Sequence, residues 1–211
     1  MTAVILSGGT IRDYSYCRKY AEDAGLIICA DGGARHAAGL GVAPHVLVGD
    51  FDSIAPDEFE RLKSMGVQMI RFPEEKDKTD TELAVDFAIE KGFKSIIILG
   101  GIGTRLDHTL ANIFLLKKML DAGVEGMLAD ERNEVTPVRG SLSLRREPGM
   151  KLTLLALSEK ASGITTTGLY YPLAGDTLEL GSTRGVSNEF EAETARVSVA
   201  DGLLLAIKSR D

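Results

Sequence analysis

Thr79-Asp80-Thr81-Glu82-Leu83-Ala84-Val85-Asp86-Phe87-Ala88-Ile89-Glu90-Lys91-Gly92-Phe93-Lys94-Ser95-Ile96-Ile97-Ile98-Leu99-Gly100 reads as a capped helix followed by a buried strand. Leu83, Ala84, Phe87 and Ala88 share one helical face, and Gly92 supplies a stop, which predicts a helix over 80–91. Thr79 to Glu82 has the form of a capping box, with Thr79 as N-cap and Glu82 reaching back. The run that follows is too short and too β-branched for a second helix and predicts a strand over 95–99. Upstream, β-rich runs at 3–6, 26–30, 46–48 and 67–71 alternate with helical patterns at 13–23, 34–40 and 56–65. A further helix is expected over 107–121, with Asp107 at its N-cap and Leu110, Ile113, Phe114 and Leu120 buried. Such alternation predicts βαβ units and a mostly parallel sheet.

The pattern changes after about Asn133. Segments such as Ser141-Leu142-Ser143-Leu144, Lys151-Leu152-Thr153-Leu154-Leu155, Asp176-Thr177-Leu178-Glu179-Leu180 and Arg196-Val197-Ser198-Val199 alternate polar and apolar residues between Gly, Pro, Ser and Asn breaks. The chain therefore divides into an α/β domain over 1–132 and an all-β domain over 133–211. With 211 residues there is enough chain for two cores.

A net charge of -7 and a pI near 5.1 provide no basic footprint for nucleic acid. No segment approaches the roughly 20 apolar residues of a membrane span, and Ala3-Val4-Ile5-Leu6 is too short for a signal sequence, so a cytoplasmic protein is expected. Cys17 and Cys29 have no metal-ligand spacing and read as core residues, while His36, His45 and His108 are scattered.

Four acidic or glycine-rich turns follow the hydrophobic runs: Ala30-Asp31-Gly32-Gly33, Gly49-Asp50-Phe51-Asp52-Ser53, Asp77-Lys78-Thr79-Asp80, and Gly100 to His108. Parallel strands would gather them at one sheet edge. Clustered carboxylates suit a hard cation such as Mg²⁺, and glycine backbone suits phosphate. Asp50 and Asp52, two apart, can leave the same face and bracket a metal, though the pair also suits a turn that caps amides ahead of Pro56. Asp77 and Asp80 straddle a helix start, where the helix dipole alone favours an acid. Lys78 is either a phosphate contact or a solvated charge. Gly101, Arg105 and Asp107 form the most specific local signal: backbone for an anion, a guanidinium fork for phosphate, and a carboxylate for a metal or a cationic substrate. Gly8 and Gly9, after the first run, offer backbone to phosphate or make a tight turn. Neither GxxxxGK(S/T) nor GxGxxG opening a helix is present.

Taken together, these segments, with Thr167-Gly168-Leu169-Tyr170-Tyr171-Pro172-Leu173 and Gly185-Val186-Ser187-Asn188-Glu189, closely resemble thiamine pyrophosphokinases of the bacterial type across nearly the whole chain. The resemblance implies a Rossmann-like, mostly parallel α/β domain that binds the nucleotide, a β-sandwich that binds thiamine, and a homodimer with thiamine sites between subunits. It implies pyrophosphoryl transfer from ATP to the thiamine hydroxyl, releasing AMP. Asp50, Asp52, Asp77 and Asp80 are then candidates for Mg²⁺. Arg105 and Lys78 would clamp phosphate, and Asp107 would orient thiamine. Gly8, Gly9, Asp31, Gly32, Gly33 and Gly101 would line the nucleotide, and Ser187 and Asn188 would contact the aminopyrimidine. The chain has no tryptophan, so stacking on thiamine falls to Tyr or Phe, with Tyr170 and Tyr171 either stacking or belonging to the sandwich core. The rival readings are a pyrophosphokinase for a hydroxymethyl pterin and a nucleotide-binding module without turnover.

Overall fold

The computed structural model describes residues 1–211 and resolves two compact units, Met1–Glu131 and Arg132–Asp211. In the first, β1 (Thr2–Leu6), β2 (Leu26–Ala30), β3 (Val46–Gly49), β4 (Gln68–Arg71), β5 (Ser95–Leu99) and β6 (Glu125–Ala129) pair in the order β6-β5-β1-β2-β3-β4, every pairing parallel. The helices are α1 (Tyr14–Ala21), α2 (Arg35–Leu40), α3 (Pro56–Ser64), α4 (Asp80–Glu90) and α5 (Leu106–Asp121), with a 3₁₀ turn over Asp31–Ala34.

Strand side chains alternate between faces, and both faces are covered. Val4, Leu6, Cys29 and Leu47 pack with Cys17 and Ala21 of α1, Ala37 and Leu40 of α2 and Leu62 of α3. On the opposite face α4 lies across β1, β2 and β3, and α5 lies on β6. Burial on two sides explains why the strands read as continuous apolar runs. It also pushes the Cys29 thiol up to about 12, as expected of an inert core residue.

Helix boundaries fall close to expectation, with instructive differences. Thr79 caps α4 by accepting from the Glu82 amide at 3.2 Å. The Glu82 carboxylate does not complete the capping box: it pairs with Lys118 of α5 at 2.8 Å, a charged partner that outbids a backbone amide. Helix α5 begins at Leu106 with Arg105 in the N-cap position, so Asp107 lies in the first turn. Its buried face is Asn112, Leu115, Leu116 and Met119, whereas Leu110 and Phe114 are 44% and 60% exposed. This helix carries two apolar stripes, and periodicity could not say which one meets the sheet.

The second unit is β-rich. It contains β7 (Asn133–Arg145), β8 (Lys151–Ala156), β9 (Lys160–Thr167), β10 (Ala174–Glu179), β11 (Asn188–Glu189) and β12 (Thr194–Ser209). All pairings among these strands are antiparallel, so strand pairing over the whole chain is mixed and the parallel expectation holds for β1–β6 alone. Strand β12 is the spine. One edge pairs with β7, while the other pairs with β9 in its first half and with β8 in its second, the register shifting between Val199 and Leu204. Lys208 of β12 is buried and bonded to Glu134 at 2.8 Å and Glu147 at 2.6 Å, which compensates its charge. No helix of the chain is long and apolar enough to cross a membrane.

All five helices belong to the first unit, so far-UV circular dichroism reports its unfolding. Leu116 is fully buried, and Leu116→Ala is expected to lower the stability of this unit by about 2–5 kcal/mol in urea titrations followed at 222 nm.

Candidate active site

Strand order reverses beside β1: the chain runs outward through β2, β3 and β4, then returns to β5 on the other side. In open α/β sheets this switch point leaves a crevice at the carboxyl ends of the strands. A cleft of about 410 Å³ lies there, lined by the loops at 7–10, 30–32 and 101–105 and by the opening turns of α4 and α5. Two helix N-termini facing one hollow favour a bound anion.

The loops are tied to one another more than they are left open. The Gly9 and Thr10 amides donate to Gly100 O (2.7 Å) and Ile102 O (2.8 Å), so they are not free phosphate ligands as expected. A Cβ on Gly9 would lie 2.3 Å from Gly100 O, which is why glycine is required. Gly8 and Gly9 O accept from Arg35, whose other Nη donates to Gly32 O at 3.1 Å. Behind it, buried His36 meets Gly9 O at 3.0 Å and the Tyr14 hydroxyl at 2.8 Å, and burial keeps its pKa below the ordinary value. Ser7 and Thr81 hydroxyls meet at 2.7 Å, and Asn112 donates to Gly101 O at 2.8 Å. Arg35, Tyr14, Thr81 and Asn112 were not singled out from sequence, because each reaches a partner outside its own element.

Carboxylate oxygens of Asp31, Asp50 and Asp52 lie within 4.8 Å of one another. Asp31 lines the cleft, while Asp50 and Asp52 line a second hollow with Arg71 and Phe72. Asp50 accepts from the Asp52 amide at 3.1 Å and from Lys76 at 2.9 Å, and Lys76 is also 2.9 Å from Asp80. The Lys76 hydrogen bond, with the Asp52 amide, holds the Asp50 carboxyl below its ordinary pKa; burial pushes that of Asp80 up against the opposing pull of Lys76. Gly49, at φ 150°, makes this crowding possible: a Cβ there would stand 3.0 Å from Asp31 Cβ and 3.3 Å from an Asp80 oxygen. Only three non-glycine residues have positive φ, Asp31 (42°), Phe51 (72°) and Ser187 (59°), and each belongs to a motif singled out above. Strain of this kind concentrates at functional sites.

The donor set fits a hard dication. It is all oxygen, three carboxylates converge, and Asp31 Oδ1 is buried without a hydrogen-bond partner. Asp31, expected only to line the nucleotide, thus joins Asp50 and Asp52. Asp80 also lines the cleft, its buried Oδ1 facing the Lys76 ammonium at 2.9 Å without hydrogen-bond geometry, and Asp77 is exposed, outside the cluster. Lys78 does not reach the cleft, since its ammonium pairs with Asp86 at 2.8 Å. Gly8, Gly32 and Gly101 line the cleft, whereas Gly33 is buried behind it. Arg105, on the rim, pairs with Asp107 at 2.6 Å, and the guanidinium hydrogen bond holds the Asp107 carboxyl down to about 2.

In the second unit, the Asn188 side chain is a clamp. Its oxygen accepts from the Tyr171 amide at 3.0 Å and its nitrogen donates to Tyr171 O at 2.7 Å. Neighbouring Ser187 is exposed, its amide donating to Thr153 at 3.0 Å. Tyr170 and Tyr171 are 61% and 64% exposed and meet edge to face, centroids 4.8 Å apart. They are therefore surface aromatics and not core.

The family model of the thiamin pyrophosphokinase catalytic domain matches residues 17–128, and that of the thiamin pyrophosphokinase vitamin B1 binding domain matches residues 141–204. The thiamine pyrophosphokinase of Bacillus subtilis (strain 168) is 32% identical over 212 residues, covering 100% of this chain and 99% of the relative. The crystal structure of thiamine pyrophosphokinase from Bacillus subtilis superposes with a TM-score of 0.91 at 31% identity over 100% of both chains. That of thiamin pyrophosphokinase from Geobacillus thermodenitrificans gives 0.86 at 30%, covering 100% of this chain and 98% of the other. Similarity thus extends over both units.

Arg105→Gln is expected to return the Asp107 carboxyl from about 2 toward its ordinary 3.8, read by carbon-13 NMR titration. Because the folded value is depressed, the pair persists above that range and is lost only as pH falls through about 2. An unchanged midpoint in the variant would show that the pair does not form.

Proposed function

Because this chain belongs to the thiamine pyrophosphokinase family, and so is an enzyme that transfers pyrophosphate from ATP to thiamine to give thiamine diphosphate and AMP, we propose how its residues divide that work. ATP occupies the cleft of the N-terminal, Rossmann-like unit, its polyphosphate directed toward Arg105 and the carboxylate cluster. Asp50 and Asp52 with Asp31 would hold Mg²⁺, while Asp80 would support the set through Lys76 and Asp77 would contribute from outside the cluster. The observation that carries this reading is the convergence of Asp31, Asp50 and Asp52 within 4.8 Å beside that cleft. Bound there, Mg²⁺ would neutralise the polyphosphate and polarise the phosphorus under attack.

The reaction asks the protein mainly for positioning and charge. The thiamine hydroxyl oxygen bonds to the β-phosphorus, and the bond from that phosphorus to the α-phosphate oxygen breaks. AMP leaves with the bonding pair, and the hydroxyl proton passes to a carboxylate of the cluster. Arg105 clamps phosphate as a planar fork. Asp107, exposed on the rim beside Arg105, draws in the cationic thiamine. Arg35 supplies the second cleft cation in place of Lys78, which is occupied by Asp86.

In the C-terminal β-sandwich, Tyr170 and Tyr171 provide the aromatic surface for thiamine, held by Asn188 and flanked by Ser187. The enzyme works as a cytoplasmic homodimer with thiamine sites at the subunit interface. Exposed Leu106, Leu110 and Phe114, four residues apart on α5, support a buried partner surface.

Incubation with ATP, Mg²⁺ and either thiamine or a hydroxymethyl pterin, followed by chromatography of AMP and product, tests the substrate. Product with the pterin alone would overturn thiamine. Removal of divalent ions with EDTA is expected to stop turnover, and Mg²⁺ to restore it. Asp52→Asn should reduce kcat by about 10²–10⁴ with an unchanged melting temperature. Asn188→Ala should raise the thiamine KM roughly tenfold, about 1.4 kcal/mol, and leave the ATP KM within twofold. A selective effect on ATP would remove Asn188 from the thiamine site.

A further inference from the structure

Lys76 stands four residues before Asp80, and its ammonium is 2.9 Å from Asp50 Oδ2 and 2.9 Å from Asp80 Oδ1. Only 13% of its side chain is exposed. The neighbouring cations are directed elsewhere: Lys78 to Asp86, Arg105 to Asp107, Arg35 to loop carbonyls, and Arg71 to the backbone oxygen of Asp50. Lys76 is thus the cation inserted among acids that would otherwise repel one another. Asp50 belongs both to this ion triad and to the Asp31–Asp50–Asp52 group, so one carboxylate serves two positive partners.

We propose that Lys76 is the built-in counter-ion of the carboxylate cluster: it holds Asp50 and Asp80 together in the metal-free protein and competes with a divalent cation for Asp50. The proposal rests on the reading of Asp31, Asp50 and Asp52 as the cation site. A dication entering the cluster must share Asp50 with an ammonium a few ångströms away, and like charges at that range in a partly dry site oppose each other strongly. Lys76 therefore lowers affinity for the bare ion. A cation arriving on a polyphosphate meets no such disadvantage, because the phosphate charge satisfies the ammonium. Lys76 in this way biases the site toward the metal–nucleotide complex over free metal. It is a positioning residue, acting through Asp50 and Asp80.

The test is Mn²⁺ binding to the whole protein without nucleotide, followed by electron paramagnetic resonance and calorimetry. Lys76→Met is expected to tighten Mn²⁺ at least tenfold, to lower the metal-free melting temperature, and to gain more of it back with Mn²⁺ than the wild type does. Lys78→Met removes the same charge two positions away and should change Mn²⁺ affinity less than twofold. Equal or weaker binding in Lys76→Met, or equal tightening in both variants, overturns the counter-ion role. Circular dichroism checks that Lys76→Met folds; Lys76→Gln, which keeps a donor without charge, must tighten Mn²⁺ in the same direction and overturns the proposal if it does not. Failure of both the wild type and Lys76→Met to bind Mn²⁺, or binding that is unchanged after Asp52→Asn, overturns the cation site itself and the counter-ion with it.

Discussion

Six parallel strands deliver every loop that follows them to one edge, and the reversal of strand order beside β1 opens that edge into a cleft. Most of the site's chemistry follows from this constraint. Loops that are remote in sequence must share a small volume, so their backbone groups are satisfied by each other: Gly9 with Gly100, Thr10 with Ile102, Arg35 with Gly8, Gly9 and Gly32. The glycines near β1 thus serve loop-to-loop contact at least as much as approach to a ligand.

Crowding also sets the electrostatics. Asp31, Asp50 and Asp52 are brought closer than free carboxylates would settle, and Asp31 and Phe51 are held in left-handed backbone to keep them there. Isolated, such a cluster would repel itself. Lys76 offsets part of that repulsion, holding the carboxyl of Asp50 down while burial still lifts that of Asp80. A fold that tolerates this arrangement is adapted to receive further positive charge, as the proposed cation site requires.

The C-terminal unit solves a different problem. With no tryptophan in the chain, its exposed aromatic surface is two tyrosines on a short loop, and a loop needs an anchor to present rings rigidly. Asn188 supplies it through both ends of its amide, and β11 is fixed in turn by pairing with β8. Asn188 therefore shapes the surface more than it forms it.

Neighbour-to-neighbour pattern was enough to set the elements and their grouping. Apolar runs, the Thr79 cap and the glycine stops depend on neighbours along the chain, so the helix at α4 and the strands β1 to β5 were legible, as was the change to alternating strands near Asn133. The motifs named Asp50, Asp52, Arg105 and Asp107, because spacing of charged residues within one turn is also local. Packing settled the rest, since those contacts join residues far apart in sequence. It drew Asp31 into the carboxylate cluster, placed Lys76 between Asp50 and Asp80, turned Lys78 away to Asp86, and chose Leu115, Leu116 and Met119 over Leu110 and Phe114 as the buried face of α5. Local pattern specifies which side chains a turn carries; their partners across the cleft are fixed by how the strands are ordered and packed.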